Sequence, residues 1–277
     1  MLPKTTVYVV LLLVLLSSYY TNAQIKSLKV IRLENAVQQF NNNNEYELSF
    51  KKIIEFLNSK DITNEDAYYG NLFLADTYKR IYDYNNVLVY LDKVQSFAEK
   101  ITVNKPYYLD NSKCQKAFAL FDIQHYKEAD SLMEILAKTN YVNINARAQS
   151  ILLMQKAYLY YLDKNYNEAE KQYDFAIAQM KSSSPCDLPI IYGKKIALYG
   201  AMNNRKKINE CYILGLKYAD SCKIIKYNLY LAEMMRNTHK DLLKDYKTAY
   251  FYFDKYDSIY TIFNTDEYKK KSVGIRN

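Results

Sequence analysis

The hydrophobic positions of this chain fall into short helical faces that recur along its length. Each face begins three residues after a tyrosine that directly follows a polar residue, as in Asp83–Tyr84 and Asn165–Tyr166. It opens on a small or β-branched residue, and residues of commonly buried types follow four and seven positions later. Offsets of 0, 4 and 7 place side chains on one face of an α-helix. The pattern predicts a helix around each opening residue, which we call an anchor: Ser49, Val87, Ala129, Ala169 and Ala249.

A sixth copy fits at Ile208, with Tyr212 and Gly215 on the same face, although its leading tyrosine is missing. Successive anchors are then separated by 38, 42, 40, 39 and 41 residues. Because one helix fills only part of such a period, each repeat must hold a second helix. The chain is thus predicted to be all-α, an α-solenoid of about six helical hairpins; the alternative is an ordinary helical bundle whose core happens to recur. Small or medium apolar residues mark the added helices, twelve positions before four anchors: Ala75, Ala117, Ala157 and Ile196.

The last repeat departs from this spacing. Its first-helix residue, Ala232, stands seventeen positions before the anchor Ala249. The excess predicts an insertion at Lys240–Lys244.

Composition supports a helical fold with a sizeable core. Of 277 residues, 49% are hydrophobic and 25% are charged, which is enough to bury a core. Only 5 glycines and 4 prolines are present. So few residues suited to unusual backbone angles argue against turn-dense all-β folds and against glycine-rich nucleotide loops. Tryptophan is absent and tyrosine reaches 31, so the aromatic rings carry hydroxyls that can remain in contact with water.

The first residues have the layout of a secretory signal. Lys4 precedes an apolar run from Val7 to Leu16, and a polar stretch then leads to Ala23. The apolar run is short of the ~20 residues that a membrane-spanning helix needs, so we expect cleavage near Ala23 and export; retention as an anchor is the alternative. The predicted division is a signal peptide over 1–23, the helical repeats over 24–263 and a basic tail over 264–277. No transmembrane helix is expected in the mature chain.

An exported chain meets an environment in which disulfides persist, and four cysteines allow three complete pairings. In the fifth predicted hairpin, Cys186 starts the first helix and Cys222 follows the second, so the two positions lie at the same end. Cys186–Cys222 is therefore the predicted disulfide. Cys114 and Cys211 are interpreted as buried apolar residues.

Signals for catalysis and for metal or nucleic-acid binding are missing from the sequence. The two histidines, His125 and His239, have no neighbouring cluster of ligands, and no hydrolase or phosphate-loop motif occurs. No catalytic residue, metal or cofactor is predicted, and an enzyme is kept only as an alternative. The 38 basic and 30 acidic residues give a net charge of +8, but the basic residues are spread along the chain. Direct nucleic-acid binding is therefore not expected.

The repeat resembles the tetratricopeptide pattern of small and large residues on paired helices. One copy of the repeat that shows this resemblance runs from Leu74 to Tyr78 and then through Asp83–Tyr84 and Val87. The signature tryptophan and terminal proline are absent, and the period exceeds the usual ~34 residues. The resemblance implies a right-handed superhelix whose first helices line a concave groove for a peptide or protein partner. The copy that matches best comprises Ala157, Tyr160, Tyr166, Ala169, Tyr173 and Ala176.

By the same resemblance, side chains of the first helices would line the groove. Aromatic rings beside a few charges suit an extended chain, although each ring could instead pack against the next hairpin. The predicted partner-binding residues are Tyr69, Lys79, Arg80, Phe118, Phe121, Tyr158 and Tyr161.

With its export signal and degenerate hairpins, the chain is also similar to the exported tetratricopeptide regions of bacterial membrane-bound transcriptional regulators and sensor kinases. That likeness implies a periplasmic or extracellular protein-binding or scaffold module, which serves as the sensor input of a regulatory system. The DNA-binding activity of such regulators is not carried over, because no residue here matches that module. Capture of a glycan or nutrient at the outer membrane is the alternative function.

Overall fold

The computed structural model describes residues 26–274, with side chains up to Thr265, so the predicted signal segment lies outside the described residues. Within that range the chain forms twelve α-helices and no strand, which confirms the all-α prediction. A 3₁₀ turn (Pro185–Asp187) precedes the ninth helix, and a π-helical turn (Thr238–Leu242) follows the eleventh. The helices are α1 (Leu28–Asn42), α2 (Tyr46–Leu57), α3 (Asn64–Arg80), α4 (Tyr84–Lys100), α5 (Lys105–Asp122), α6 (Tyr126–Lys138), α7 (Ala146–Leu162), α8 (Tyr166–Ser183), α9 (Leu188–Ala201), α10 (Arg205–Ser221), α11 (Ile225–Asn237) and α12 (Tyr246–Gly274).

Consecutive helices pair as α1 with α2, α3 with α4, α7 with α8, α9 with α10 and α11 with α12, which are five of the six predicted hairpins. The residues divide into two compact units, one ending at Ser112 and the other beginning at Lys113, within α5. In the first unit, Val30 of α1, Tyr68 of α3 and Val94 of α4 share a buried cluster.

Every predicted anchor is buried. Ser49, Ala129, Ala169 and Ile208 have no exposed surface, Val87 is 2% exposed and Ala249 is 5% exposed. The paired first-helix residues are also buried, because two helices approach closely only where side chains are short. In the second unit, Ala157 and Ala169 share a core cluster with Tyr173, which fills the space beside them. The period of about forty residues thus reflects the positions at which the two helices of each hairpin pack closely.

At several corners a polar residue directly before the second helix closes one helix and caps the next. At the α7–α8 corner, Lys164 adopts a left-handed conformation with φ 59°, and the Asn165 N–H donates to the Tyr160 carbonyl oxygen at 2.8 Å. The Asn165 side chain then accepts from the Glu168 N–H and caps α8. Asp83 and Asn204 have the same two roles. The corners therefore use Schellman geometry without glycine, since no described glycine has a positive φ.

Two glycines instead permit close helix packing in the fifth hairpin. A Cβ on Gly215 of α10 would lie 2.8 Å from Leu231 of α11, and one on Gly193 of α9 would lie 2.3 Å from the ring of Tyr230. Helix α11 therefore packs directly against both helices of the preceding hairpin.

The sixth hairpin differs from its prediction in two respects. The expected insertion appears as the π-helical turn Thr238–Leu242, which extends the end of α11. Helix α12 continues to Gly274, so most of the segment expected as a basic tail is helical. Phe253, predicted to lie on the buried face, is 49% exposed because no described helix follows α12 to cover it.

The structure joins the sulfurs of Cys186 and Cys222 at 2.05 Å, as the sequence led us to expect. Cys186 lies in the 3₁₀ turn before α9 and Cys222 is the C-terminal cap of α10. The bridge therefore closes the open end of the fifth hairpin.

Candidate functional site

Five aromatic rings form a continuous row in the second unit. The Phe121 ring of α5 lies 5.2 Å from Tyr126 and 5.8 Å from Tyr158. Tyr158 stacks on Tyr161 at 5.9 Å, and Tyr161 lies 6.1 Å from Tyr166 at the start of α8. The row thus combines the ends of first helices, α5 and α7, with the beginnings of second helices, α6 and α8. We call Phe121, Tyr126, Tyr158, Tyr161 and Tyr166 the aromatic row.

The row is half-buried and has a cation beside it. Every ring retains partial exposure, and the Lys194 Nζ of α9 lies 5.1 Å from the centroid of Tyr158. Burial lowers the pKa of Lys194. Burial and neighbouring phenols raise the pKa of Tyr126 and Tyr161, so both hydroxyls remain protonated at neutral pH. The site therefore offers ring faces, hydroxyl groups and one cation, a combination that suits a peptide with aromatic and carboxylate groups.

The structure brings together three of the predicted site residues and separates the others. Phe121, Tyr158 and Tyr161 are members of the row, whereas Phe118 is half-buried one turn earlier on α5. In the first unit, Lys79 is half-buried, and exposed Arg80 pairs with Asp76 at 3.1 Å. Their role in partner binding, like that of the row, stays a prediction.

Tyr69 is buried instead of exposed. Its ring is 6% exposed and lies edge-on to Tyr68 at 5.2 Å and to Tyr108 at 6.2 Å. Burial strongly raises its pKa, with neighbouring phenols adding to the effect. Tyr69 is therefore a core side chain of the first unit, because a sequence-distant ring on α5 packs against it.

The sequence prediction missed Tyr126, Tyr166 and Lys194 as members of the site. In the sequence pattern the two tyrosines only mark the repeat. Each is the first residue of the second helix of a hairpin, directly after the N-cap residue. This position places the ring beside the C-terminal end of the preceding helix. The repeated polar-tyrosine pair was thus the signal for both the corner and the row.

The described residues contain no group of three or more side chains suited to holding a metal ion. Burial raises the pKa of Cys114 and Cys211 to about 12, so neither supplies a thiolate at neutral pH. His125 occupies the N-cap position of α6 without a side-chain capping hydrogen bond, and its Nδ1 lies 3.1 Å from Glu128 Oε1.

His239 lies in the π-helical turn and is 5% exposed, with both ring nitrogens buried and without a hydrogen bond among the described residues. Burial lowers its pKa below the ordinary 6.5; Asp245, 3.6 Å away, acts in the opposite direction and Arg205 adds to the lowering. The unfolded chain therefore binds this proton more readily than the folded chain. Its contribution to folding stability is complete above pH 6.5 and decreases as the pH falls below that value.

We expect the free energy of unfolding to fall below pH 6.5 with a slope of up to ~1.4 kcal/mol per pH unit from His239. Urea denaturation between pH 7.5 and 5 measures this slope. His239→Leu should reduce it, whereas His125→Leu, at an exposed position, should retain it. The Asp245 carboxyl does not interfere, since its pKa is held far below 3.8 by Arg205 and Thr248. An unchanged slope in His239→Leu would contradict the assignment.

Solved structures of helical proteins share this fold. A crystal structure of BtubC (BKLC) from P. vanneervenii has a TM-score of 0.55 at 12% identity, over 87% of this chain and 93% of that chain. A Rap protein complexed with Competence and Sporulation Factor has a TM-score of 0.62 at 14% identity, over 88% and 78%. Aspartyl phosphate phosphatase F from Bacillus subtilis has a TM-score of 0.61 at 15% identity, over 86% of this chain and 61% of that one.

At these identities the likeness establishes the fold: the chain is an all-α protein of the helical-repeat class. No family model and no curated protein sequence matches it. Among residues 26–274, no helix is both long enough and apolar enough to cross a bilayer.

Proposed function

We propose that the protein is a non-catalytic peptide- or protein-binding module that uses the aromatic row. The carrying observation is five contacting, partly exposed rings with a lysine at one of them. Rigid aromatic side chains provide large contact area at low conformational cost, and such rings dominate many interfaces. The Rap structure in complex with Competence and Sporulation Factor supports binding as a use of this fold.

The finer proposal is that the module acts outside the cytoplasm as the sensor input of a regulatory system. It rests on the predicted signal peptide and on the resemblance to exported regulator regions. Fractionation of cells that express the full chain tests the location: a mature protein beginning near residue 24 in the periplasmic or extracellular fraction supports export.

Peptide selection tests binding at the row. Linear peptides selected from a random library on the immobilised mature chain should be rich in aromatic and acidic residues. Fluorescence anisotropy should show that Tyr158→Ala weakens the selected peptides by about tenfold, the usual size of a central aromatic contact. Tyr82→Ala, which alters an exposed tyrosine of the first unit, is the matched control and should leave the affinity unchanged.

Melting temperatures of both variants establish that each is folded. Peptides that bind folded Tyr158→Ala as tightly as wild type would contradict the row as the site. Retention of polysaccharide with no peptide enriched would instead support glycan capture.

A further inference from the structure

A second apolar surface lies on the sixth hairpin, away from the aromatic row. Between the end of α11 and the first turns of α12 is a groove of about 410 Å³. Tyr250 is 72% exposed on its wall and Phe253 is 49% exposed, whereas Ala249 forms its buried floor. We call this surface the α11–α12 groove; its lining residues are Arg236, Asn237, Lys240, Tyr246, Ala249, Tyr250 and Phe253.

The fifth hairpin shows what covers the equivalent surface. There Ile208, Tyr212 and Gly215 face the core and are buried, and α11 packs on that side of the hairpin. By the repeat, the corresponding residues of the sixth hairpin are Ala249, Phe253 and Tyr256. An α-helix therefore packs on this side of the fifth hairpin, whereas the equivalent side of the sixth hairpin is an open groove.

The packing of α11 also indicates the chemistry of such a helix. Leu231 packs against Gly215, and the Tyr230 ring packs against Gly193. Adjacent residues of α11 therefore contact both helices of the preceding hairpin. Leu231, Ala232 and Met235 of α11 are buried, and Met235 lies four positions after Leu231 and three after Ala232. A helix in the α11–α12 groove would likewise present apolar residues at spacings of three and four, the period that keeps side chains on one face.

Charge restricts the identity of the helix further. The groove lining contains two cations, Arg236 and Lys240, and no carboxylate. Arg236 already pairs with Glu233 of α11 at 3.5 Å, whereas Lys240 is exposed and has no ion pair among the described residues. A second copy of the chain would bring the same cations to a symmetric contact, which is unfavourable. A helix with acidic residues beside its apolar stripe has the complementary charge.

We propose that the α11–α12 groove binds one amphipathic, acidic-flanked α-helix of a partner protein. The helix continues the stack of the repeat: its apolar residues cover Ala249 and Phe253, and its carboxylates face Lys240. This surface is independent of the aromatic row, so either site can be disproved without the other.

The test uses the full mature chain and two synthetic probes. Both are hydrocarbon-stapled 18-residue helices with a leucine stripe; one has glutamates beside the stripe and the other has lysines in the same positions. In fluorescence anisotropy the glutamate probe should bind at least about tenfold more tightly than the lysine probe, an advantage that added salt reduces.

Variants locate the binding. Phe253→Ser and Lys240→Glu should each weaken the glutamate probe by about fivefold or more. Phe175→Ser removes a ring that is 59% exposed on α8, outside the groove, and should leave the affinity unchanged. Circular dichroism melting checks that each variant is folded.

Equal affinity for the two probes overturns the proposed charge recognition, and unchanged binding to folded Phe253→Ser overturns the groove as the site. Sedimentation equilibrium tests whether a second copy of the chain occupies the groove. A dimer of the wild-type chain that Phe253→Ser dissociates would assign the groove to a second copy and overturn the proposal.

Discussion

Ala169→Arg should lower the free energy of unfolding by about 3–5 kcal/mol. Ala169 has no exposed surface and belongs to a core cluster that includes Ala157 and Tyr173. An arginine at that position must displace neighbouring side chains or separate the helices, and its guanidinium would enter a core without a charged partner. Urea denaturation of wild type and variant at pH 7.5 measures the difference.

The same helix supplies the control for this substitution. Ala178 of α8 is exposed, so Ala178→Arg introduces the same side chain with the same helix propensity into water. Its free energy of unfolding should stay within about 0.5 kcal/mol of wild type. Equal stability of wild type and Ala169→Arg would show that the α7–α8 hairpin does not pack in the register described.

The hairpins could be predicted because close helix contacts impose a local requirement on the sequence. Ala129 and Ala169 are short and fully buried, and the large residues four positions later, Met133 and Tyr173, are buried beside them. These requirements depend only on spacing, so they are visible without knowledge of the neighbouring hairpin.

The candidate site was predictable only in part, since exposure depends on residues far apart in the sequence. Tyr69 and Tyr158 occupy first helices and look alike in the pattern. Tyr108 packs against Tyr69 and helps to bury it, whereas Tyr158 keeps partial exposure beside Lys194.

The sixth hairpin illustrates the same dependence. Its anchor Ala249 is buried within its own hairpin, so the local pattern predicted it correctly. Phe253 fits the same pattern, yet its burial requires a following helix. A repeat pattern therefore predicts which face is apolar, but the neighbour in space determines whether that face is covered.

Reduction of the Cys186–Cys222 bridge should lower the free energy of unfolding by about 2–4 kcal/mol. The bridge joins cysteines separated by 36 positions and thereby restricts the unfolded chain across the whole α9–α10 hairpin. Urea denaturation of the wild-type chain with and without dithiothreitol measures the loss. Peptide mapping of the unreduced chain should recover Cys186 and Cys222 in one linked pair.

The double variant Cys186→Ala and Cys222→Ala provides the internal control. It should match the stability of the reduced wild-type chain and should not respond to dithiothreitol, because Cys114 and Cys211 are buried free thiols. A response of the double variant would reveal a different disulfide, and no response of the wild-type chain would show that the bridge does not form. Since such bridges persist in oxidising compartments, chain recovered from the periplasm should contain the linked pair, and chain retained in the cytosol should contain free thiols.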